Sequence, residues 1–119
     1  MIKMNSISGV TYYVQDLAKT TAFYELVGFR PGEQTGEQFT VYVNWFWIRF
    51  RAQAAEHVSD GPQGEGVQVC IKVDDADEFH KHLVSKGLSP VSEPRKVQGG
   101  REFVLSDPDG YQLVFFDKK

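Results

Sequence analysis

The sequence predicts an α+β fold of two tandem βαβββ modules, whose strands form an eight-stranded curved sheet with both helices on one side. Three observations carry this prediction. Each half of the chain pairs a β-prone strand with an amphipathic helix, the second half repeats landmarks of the first, and a strong turn signal near the C-terminus joins two further β-prone runs. One face of each strand would pack under a helix, and the other would border solvent or a concave cleft.

In the first half, residues Ile7–Val14 are β-prone and are followed at once by a helical pattern. Asp16 is placed to cap a helix over Leu17–Val27, because a short acidic side chain can accept a hydrogen bond from the first free backbone amides. Gly28 stands at the position where a helix commonly ends, and Pro31 prevents continuation. We therefore expect a strand and then a helix of about three turns.

The rest of this half is predicted as a polar turn region followed by two strands. Residues 32–38 (GEQTGEQ) carry turn-forming chemistry. The strands are expected over Phe39–Val43 and Trp45–Phe50, meeting near Asn44.

From Gly66 onward the pattern of a strand followed by a capped helix occurs a second time. Apolar and polar residues alternate over 67–73, which predicts a half-buried strand. Asp75 and Glu78 form a capping-box-like pair that opens a helix over Ala76–Lys86, and Gly87 ends it.

The end of the chain is predicted as a loop and a hairpin. The connection Ser92–Arg101 contains a glycine pair and is expected to be mobile. Residues 107–110 read Asp-Pro-Asp-Gly, a strong turn sequence between the β-prone runs Phe103–Leu105 and Tyr111–Phe116.

The two halves repeat each other at a constant offset of 59 residues. Five identities share this offset: Val10 and Val69, Val14 and Val73, Asp16 and Asp75, Gly28 and Gly87, Pro31 and Pro90. We therefore predict one domain with a first module over about 5–51, a linker over 52–65 and a second module over about 66–117.

Composition limits the partners. The net charge of −3 argues against a nucleic-acid partner and fits a neutral or cationic small ligand. No apolar run approaches the length of about 20 residues that a membrane span needs, and the N-terminus lacks a signal-peptide core. The single Cys70 cannot form an internal disulfide, so a cytoplasmic protein is expected.

The C-terminal hairpin, together with the YVQDL and VDD junctions from strand to helix, resembles the glyoxalase/bleomycin-resistance/dioxygenase group, the vicinal oxygen chelate superfamily. The resemblance covers nearly the whole chain and implies the same tandem βαβββ fold with a concave cleft. The family pattern for this hairpin is roughly DPDGNxIEL, and its Glu is a metal ligand. Val114 stands at that position here.

The resemblance implies four metal-ligand positions, taken from the first and last strand of each module. They fall on Gly9, on Trp47 or Arg49, on Gln68, and on Val114. Only Gln68 offers an oxygen, and one amide does not hold a divalent ion. We expect no metal and no cofactor.

The histidines do not replace these ligands. His57 falls in the predicted linker, while His80 and His82 are two apart on a helix and point to different faces. A metal-dependent lyase, epimerase, dioxygenase or thiol transferase is therefore disfavoured.

The positions that alternate with the predicted core are expected to line the cleft. These candidate ligand-binding residues are Thr11, Tyr13, Trp45, Trp47, Arg49, Gln68, Cys70, Gln112, Val114 and Phe116. Aromatic walls with a few polar anchors are typical of small-molecule sites, and Arg49 could pair with a carboxylate or phosphate.

Structural interpretations of the same residues stay open. Trp45 and Trp47 could form a dimer interface, and Arg49 could be neutralised by a carboxylate across the sheet. Gln68 could be a satisfied buried amide, and Cys70 a small buried residue.

The favoured function is a metal-independent, bleomycin-resistance-type binding protein that sequesters an aromatic or amphipathic molecule, as a homodimer. The alternative is an enzyme of the same superfamily (a lyase, isomerase or dioxygenase), with or without metal. It has no evident acid, base or nucleophile, although Tyr13, Gln68 or Cys70 could be recruited. A pure interaction module is the third possibility, if the chain's own aromatic side chains fill the cleft.

Overall fold

The structure, a computed structural model, describes residues 2–4, 6–52 and 66–118. The chain divides into two compact units, Met1–Val58 and Ser59–Lys119. Within the described residues, each unit holds one helix and one four-stranded sheet. The predicted tandem βαβββ architecture is confirmed.

The first unit has its sheet strands in the order β1-β4-β3-β2. Strands β1 and β4 are parallel, while β4, β3 and β2 are joined by antiparallel pairs. Its elements are β1 (Gly9–Val14), α1 (Leu17–Val27), β2 (Arg30–Gln34), β3 (Gln38–Val43) and β4 (Phe46–Ala52).

Helix α1 has the predicted limits because local chemistry sets both ends. The side chain of Asp16 accepts a hydrogen bond from the backbone N–H of Lys19 at 3.1 Å. Gly28 ends the helix with a φ of 113°, a left-handed conformation that glycine adopts without steric cost.

The core of the first unit lies between α1 and one face of its sheet. Tyr24 of α1 is fully buried, and its ring centroid lies 4.5 Å from that of Phe50 and 5.1 Å from that of Phe29. Other buried apolar residues of this layer are Tyr12, Val14, Val27, Phe39, Val41 and Ile48.

The prediction for residues 32–38 was wrong in part, because β2 begins at Arg30 and ends at Gln34. All residues of β2 are exposed, so the strand has no apolar alternation that a sequence pattern could reveal. It forms the edge of its sheet and pairs with β3 through a register shift. Pro31 is tolerated there because an edge strand leaves one row of backbone groups unpaired.

The second unit repeats this arrangement, with its strands in the order β5-β8-β7-β6. Strands β5 and β8 are parallel, and the other pairs are antiparallel. Its elements are β5 (Gln68–Lys72), α2 (Ala76–Ser85), β6 (Arg95–Val97), β7 (Gly100–Ser106) and β8 (Gln112–Phe116).

Helix α2 is fixed at its start by two carboxylates. Asp75 accepts a hydrogen bond from the backbone N–H of Glu78 at 3.0 Å, as predicted for the cap. Asp117, buried at the end of β8, accepts from the backbone N–H of Ala76 at 2.7 Å and from that of Arg101 at 2.9 Å. The same side chain therefore joins α2 to the start of β7.

The prediction of a loop over Ser92–Arg101 was wrong in part. Most of this segment forms a β-hairpin, in which β6 pairs with the first residues of β7. Gly99 occupies the connecting turn with a φ of 85°. The glycine pair reflects turn geometry and close packing, since the Cα of Gly100 lies against Asp117.

The C-terminal hairpin is as predicted. Asp107 is buried, and its Oδ1 accepts hydrogen bonds from the backbone N–H groups of Asp109 and Tyr111, each at 2.9 Å. The turn leads the chain into β8, whose Phe115 packs against Phe103 of β7 and Phe79 of α2, with ring centroids 5.4 and 4.8 Å apart. Leu113 of β8 and Leu83 of α2 are fully buried in the same unit.

The 59-residue repeat corresponds to the same sheet order and the same aspartate N-cap in both units, but the C-caps differ. Gly28 ends α1 in a left-handed conformation, whereas α2 stops at Ser85, one residue earlier than predicted, with Lys86 as its C-cap. One pair departs from the repeat, because Pro31 lies in β2 whereas Pro90 precedes β6 outside any strand. Of the predicted linker only Ala52 is described, as the last residue of β4; the rest, including His57, lies outside the described residues. Neither α1 nor α2 is long and apolar enough to cross a membrane.

Candidate functional site

The register of β1 against β4 decides which side chains share a face of the first sheet. Phe50 contacts α1. The residues directly before and after Phe50, and every second residue beyond them, therefore point away from the helix. Gly9 lies opposite Trp47, and Thr11 lies opposite Arg49. The residues that point away from the helix form what we call the helix-free face of sheet one: Gly9, Thr11, Tyr13, Gln38, Thr40, Tyr42, Trp47, Arg49 and Arg51.

Trp47 lies directly against the backbone of Gly9. A Cβ atom added to Gly9 would be 2.1 Å from Cδ2 of the indole ring, so no side chain fits at residue 9 while the ring stays in place. The ring thus fills the space of any side chain at residue 9, the first of the four predicted metal-ligand positions.

Arg49 stacks on the same ring. Its Cζ atom lies 4.6 Å from the centroid of the Trp47 ring, in the range of a cation–π contact. Its Nε atom is buried and has no hydrogen-bond partner within the described part of the chain. The guanidinium is therefore held by an aromatic ring, with no carboxylate paired to it in residues 2–4, 6–52 and 66–118.

A second stack of this kind lies at the edge of the same face. Cζ of Arg30, on β2, lies 4.8 Å from the ring centroid of Tyr42, its cross-strand neighbour. A terminal nitrogen of Arg30 also donates to the backbone oxygen of Asn44 at 2.9 Å. The face thus alternates aromatic rings with guanidinium groups.

The second sheet has an equivalent face of more neutral character. Phe115 contacts Phe79 of α2. The residues directly before and after Phe115, and every second residue beyond them, therefore point away from the helix. Nε2 of Gln68 donates to Oε1 of Gln112 at 2.8 Å. The residues that point away from this helix form what we call the helix-free face of sheet two: Gln68, Cys70, Lys72, Glu102, Val104, Ser106, Gln112, Val114 and Phe116.

Nine of the ten predicted site residues lie on one of these two faces. The exception is Trp45, which was predicted in a strand but stands in the turn between β3 and β4 with 65% of its surface exposed. Asn44, with a φ of 54°, makes this turn with it. Cys70 is exposed, which contradicts its interpretation as a buried residue, and Gln68 is satisfied by Gln112 but is exposed.

Sequence reasoning missed the contribution of the third strand of each module. Tyr42 and Thr40 of β3 and Val104 of β7 share the two faces with the predicted residues. The alternation along β3 could have indicated this contribution, because Gln38, Thr40 and Tyr42 alternate with the buried Phe39 and Val41.

The register also resolves the uncertain metal-ligand position in the first module. Thr11 pairs with Arg49, and Cys70, 59 residues after Thr11, pairs with Val114. Arg49 is therefore the counterpart of Val114, and Trp47 that of Gln112.

The residues at these positions do not fit a divalent metal ion. Gly9 has no side chain, Arg49 is a cation, and Val114 is a buried hydrocarbon. Gln68 offers its amide, which is already joined to Gln112. No group of three or more His, Cys, Asp and Glu residues that could hold a metal occurs among the described residues.

An open groove of about 670 Å³ lies elsewhere in the second unit, beside α2. Four of its lining residues are already paired with each other, while Lys81 lines the groove as well. Arg101 Nε lies 2.9 Å from Asp77, and His80 Nε2 lies 3.8 Å from Glu93. Self-paired charges leave little for a ligand, so the helix-free faces are the better candidates.

Comparison with known proteins agrees with this architecture. The family model described as "Glyoxalase/Bleomycin resistance protein/Dioxygenase superfamily" matches residues 6–115. No curated protein sequence matches the chain.

Three solved structures illustrate the likeness. A bleomycin-binding protein complexed with bleomycin is 24% identical, with 97% of this chain and 100% of that chain covered and a TM-score of 0.70. A glyoxalase/bleomycin resistance protein/dioxygenase from Nocardioides is 15% identical over 99% of this chain and 86% of that one, with a TM-score of 0.80. A virulence protein from Salmonella typhimurium is 19% identical over 99% and 100%, with a TM-score of 0.76. At these identities the likeness is one of fold.

Proposed function

Since the chain belongs to the glyoxalase/bleomycin resistance protein/dioxygenase superfamily, we propose that it is a metal-independent binding protein that sequesters an aromatic or amphipathic small molecule. The observation that carries this proposal is the contact of Trp47 with Gly9, because the indole ring occupies the space that a side chain at the first predicted metal-ligand position would need. Sequestration needs affinity alone, so the loss of metal donors is compatible with it.

The composition of the two faces supports small-molecule binding. Tyr13, Tyr42 and Trp47 offer flat apolar surface on the first sheet, and Gln68 and Gln112 offer amide groups on the second. The aromatic surface of the first face suits a planar ligand, and the amide groups of the second face can exchange hydrogen bonds with a polar one. The structural neighbour that was solved with bleomycin supports a binding role for this fold.

We also propose that the protein is a homodimer. The turn between β3 and β4 supports this, because Val43 and Trp45 expose 38% and 65% of their surfaces. Exposed aromatic side chains are enriched at protein interfaces.

The test is a thermal-shift screen of planar and amphipathic compounds, run with EDTA and with added divalent ions. Binding to the native state raises the midpoint of unfolding, and we expect the same shift under both conditions. A compound that stabilises the protein only when a divalent ion is present would contradict metal-independent binding.

Hits are then confirmed in a Trp45→Phe variant. The chain has two tryptophans, so Trp47 becomes the only one and its fluorescence reports on the helix-free face of sheet one. We expect the ligand to quench this signal and Trp47→Ala to weaken binding. Normal binding by a folded Trp47→Ala variant would place the ligand elsewhere.

A further inference from the structure

The positions of β1, β3 and β4 on the helix-free face of sheet one carry positive charge and no carboxylate, while the edge strand β2 contributes both Arg30 and Glu33. These positions include Arg49 and Arg51 but neither Asp nor Glu, and Arg30 lies on β2 opposite Tyr42. The whole chain has a net charge of −3, so this surface is opposite in sign to the rest. A ligand responds to the local field more than to the net charge.

Arg49 is the best-placed of these cations to receive a ligand. Stacking on Trp47 fixes the guanidinium plane, and no acidic side chain among the described residues forms an ion pair with it. Its buried Nε has no acceptor, so the group stays short of hydrogen bonds. A guanidinium presents its donors in a planar fork that matches a carboxylate or phosphate.

The neighbours of Arg49 extend this donor set. Thr11 on β1 and Thr40 on β3 are its cross-strand partners, so both hydroxyl-bearing side chains leave the sheet on the same face as Arg49. Hydroxyl groups donate readily to an anionic oxygen. No carboxylate stands at the positions of β1, β3 and β4 on this face to repel an anion.

We propose, building on the binding function above, that the ligand is an anion: a planar ring bearing a carboxylate, sulfonate or phosphate. Its oxygens accept hydrogen bonds from Arg49, and its ring contacts the aromatic side chains of the same face. This choice reverses the expectation from net charge, which favoured a neutral or cationic molecule.

The test compares two fluorescent probes with the same ring system. 1-Anilinonaphthalene-8-sulfonate carries one sulfonate, and N-phenyl-1-naphthylamine carries none. We expect the sulfonated probe to bind the full-length chain at least about tenfold more tightly, since hydrogen bonds to charged groups are stronger than neutral ones.

Variants of Arg49 assign the preference to its side chain. Arg49→Gln should lose the preference for the sulfonated probe while keeping its affinity for the uncharged one. Arg49→Lys keeps the charge without the planar fork and should retain part of the preference. If Arg49→Gln does not fold, the Arg49→Lys variant shows whether the guanidinium group causes the preference for the sulfonated probe. Lys19→Gln is the matched control, because it removes one positive charge from the exposed surface of α1.

The outcomes separate this inference from the proposed function. Equal binding of both probes, unchanged in Arg49→Gln, would overturn the anion site and leave aromatic binding intact. Failure of both probes to bind would overturn both proposals. Displacement of the sulfonated probe by inorganic phosphate alone would support the anion site and show that the anionic group suffices for binding without the ring.

Discussion

The indole ring of Trp47 occupies the space above Gly9, its partner on the neighbouring parallel strand, so that a Cβ at residue 9 would lie 2.1 Å from the ring. The two residues are complementary, because the large ring requires the absence of a side chain opposite it. This contact leaves no space for a ligand side chain at residue 9, the first of the four predicted metal-ligand positions.

Gly9→Ala should therefore destabilise the protein by about 1–3 kcal/mol, the usual cost of overpacking. Urea denaturation followed by circular dichroism measures this loss. Gly36→Ala is the control, since nothing lies within 4 Å of a Cβ there, and its effect should stay within about 0.5 kcal/mol. The double variant Gly9→Ala/Trp47→Ala should lose less stability than the sum of its single variants. Additive losses would show that the ring and residue 9 do not compete for space.

Metal content is the second prediction. Elemental analysis of protein purified without chelator should show no stoichiometric Zn, Ni, Mn or Fe, because the aligned positions offer one amide, one cation and hydrocarbon. One bound equivalent that disappears in Gln68→Ala would contradict this, since Gln68 supplies the one oxygen donor among those positions.

Asp117 is expected to contribute strongly to the stability of the second unit. Asp117→Ala leaves the backbone N–H groups of Ala76 and Arg101 without this acceptor, at about 1–3 kcal/mol each, so we expect a loss of roughly 2–6 kcal/mol in urea denaturation. Asp117→Asn keeps one acceptor oxygen and should lose less. Asp74→Ala, at an exposed aspartate just before the cap of α2, is the control and should be near neutral. Equal losses in Asp117→Ala and Asp74→Ala would refute the role of the buried carboxylate.

The oligomeric state is the fourth prediction. Light scattering after size exclusion should give a dimer for the wild type and a monomer for Trp45→Ala at the same concentration, because the exposed indole is the largest apolar group of its turn. Val84→Ala removes a side chain that is 49% exposed on α2 and should remain dimeric. A monomeric wild type would refute the dimer, and a dimeric Trp45→Ala would move the interface elsewhere.

Particular elements show how far prediction from the sequence reached. The limits of α1 and the start of α2 were correct because Asp16, Gly28 and Asp75 act on backbone groups three or four residues away. Strand β2 was missed because its formation depends on hydrogen bonds to β3, and its exposed residues carry no pattern. Trp45 was assigned to a strand because its β-propensity outweighed the turn signal of Asn44.

The sequence by itself determined the tandem repeat, the two helices with their N-caps, and the alternation that separates core from face along each strand. These features depend on neighbours within a few positions, so periodicity and turn chemistry encode them. Only the tertiary structure decided that Trp47 fills the space over Gly9, that Arg49 is the counterpart of Val114, and that Arg49 stacks on a ring with its Nε unpaired. The first two relationships follow from the register between strands that are about 38 and about 44 residues apart in the chain, which a period of two along one strand does not specify. The third joins two residues of one strand and depends on side-chain conformation, which the sequence pattern does not specify either.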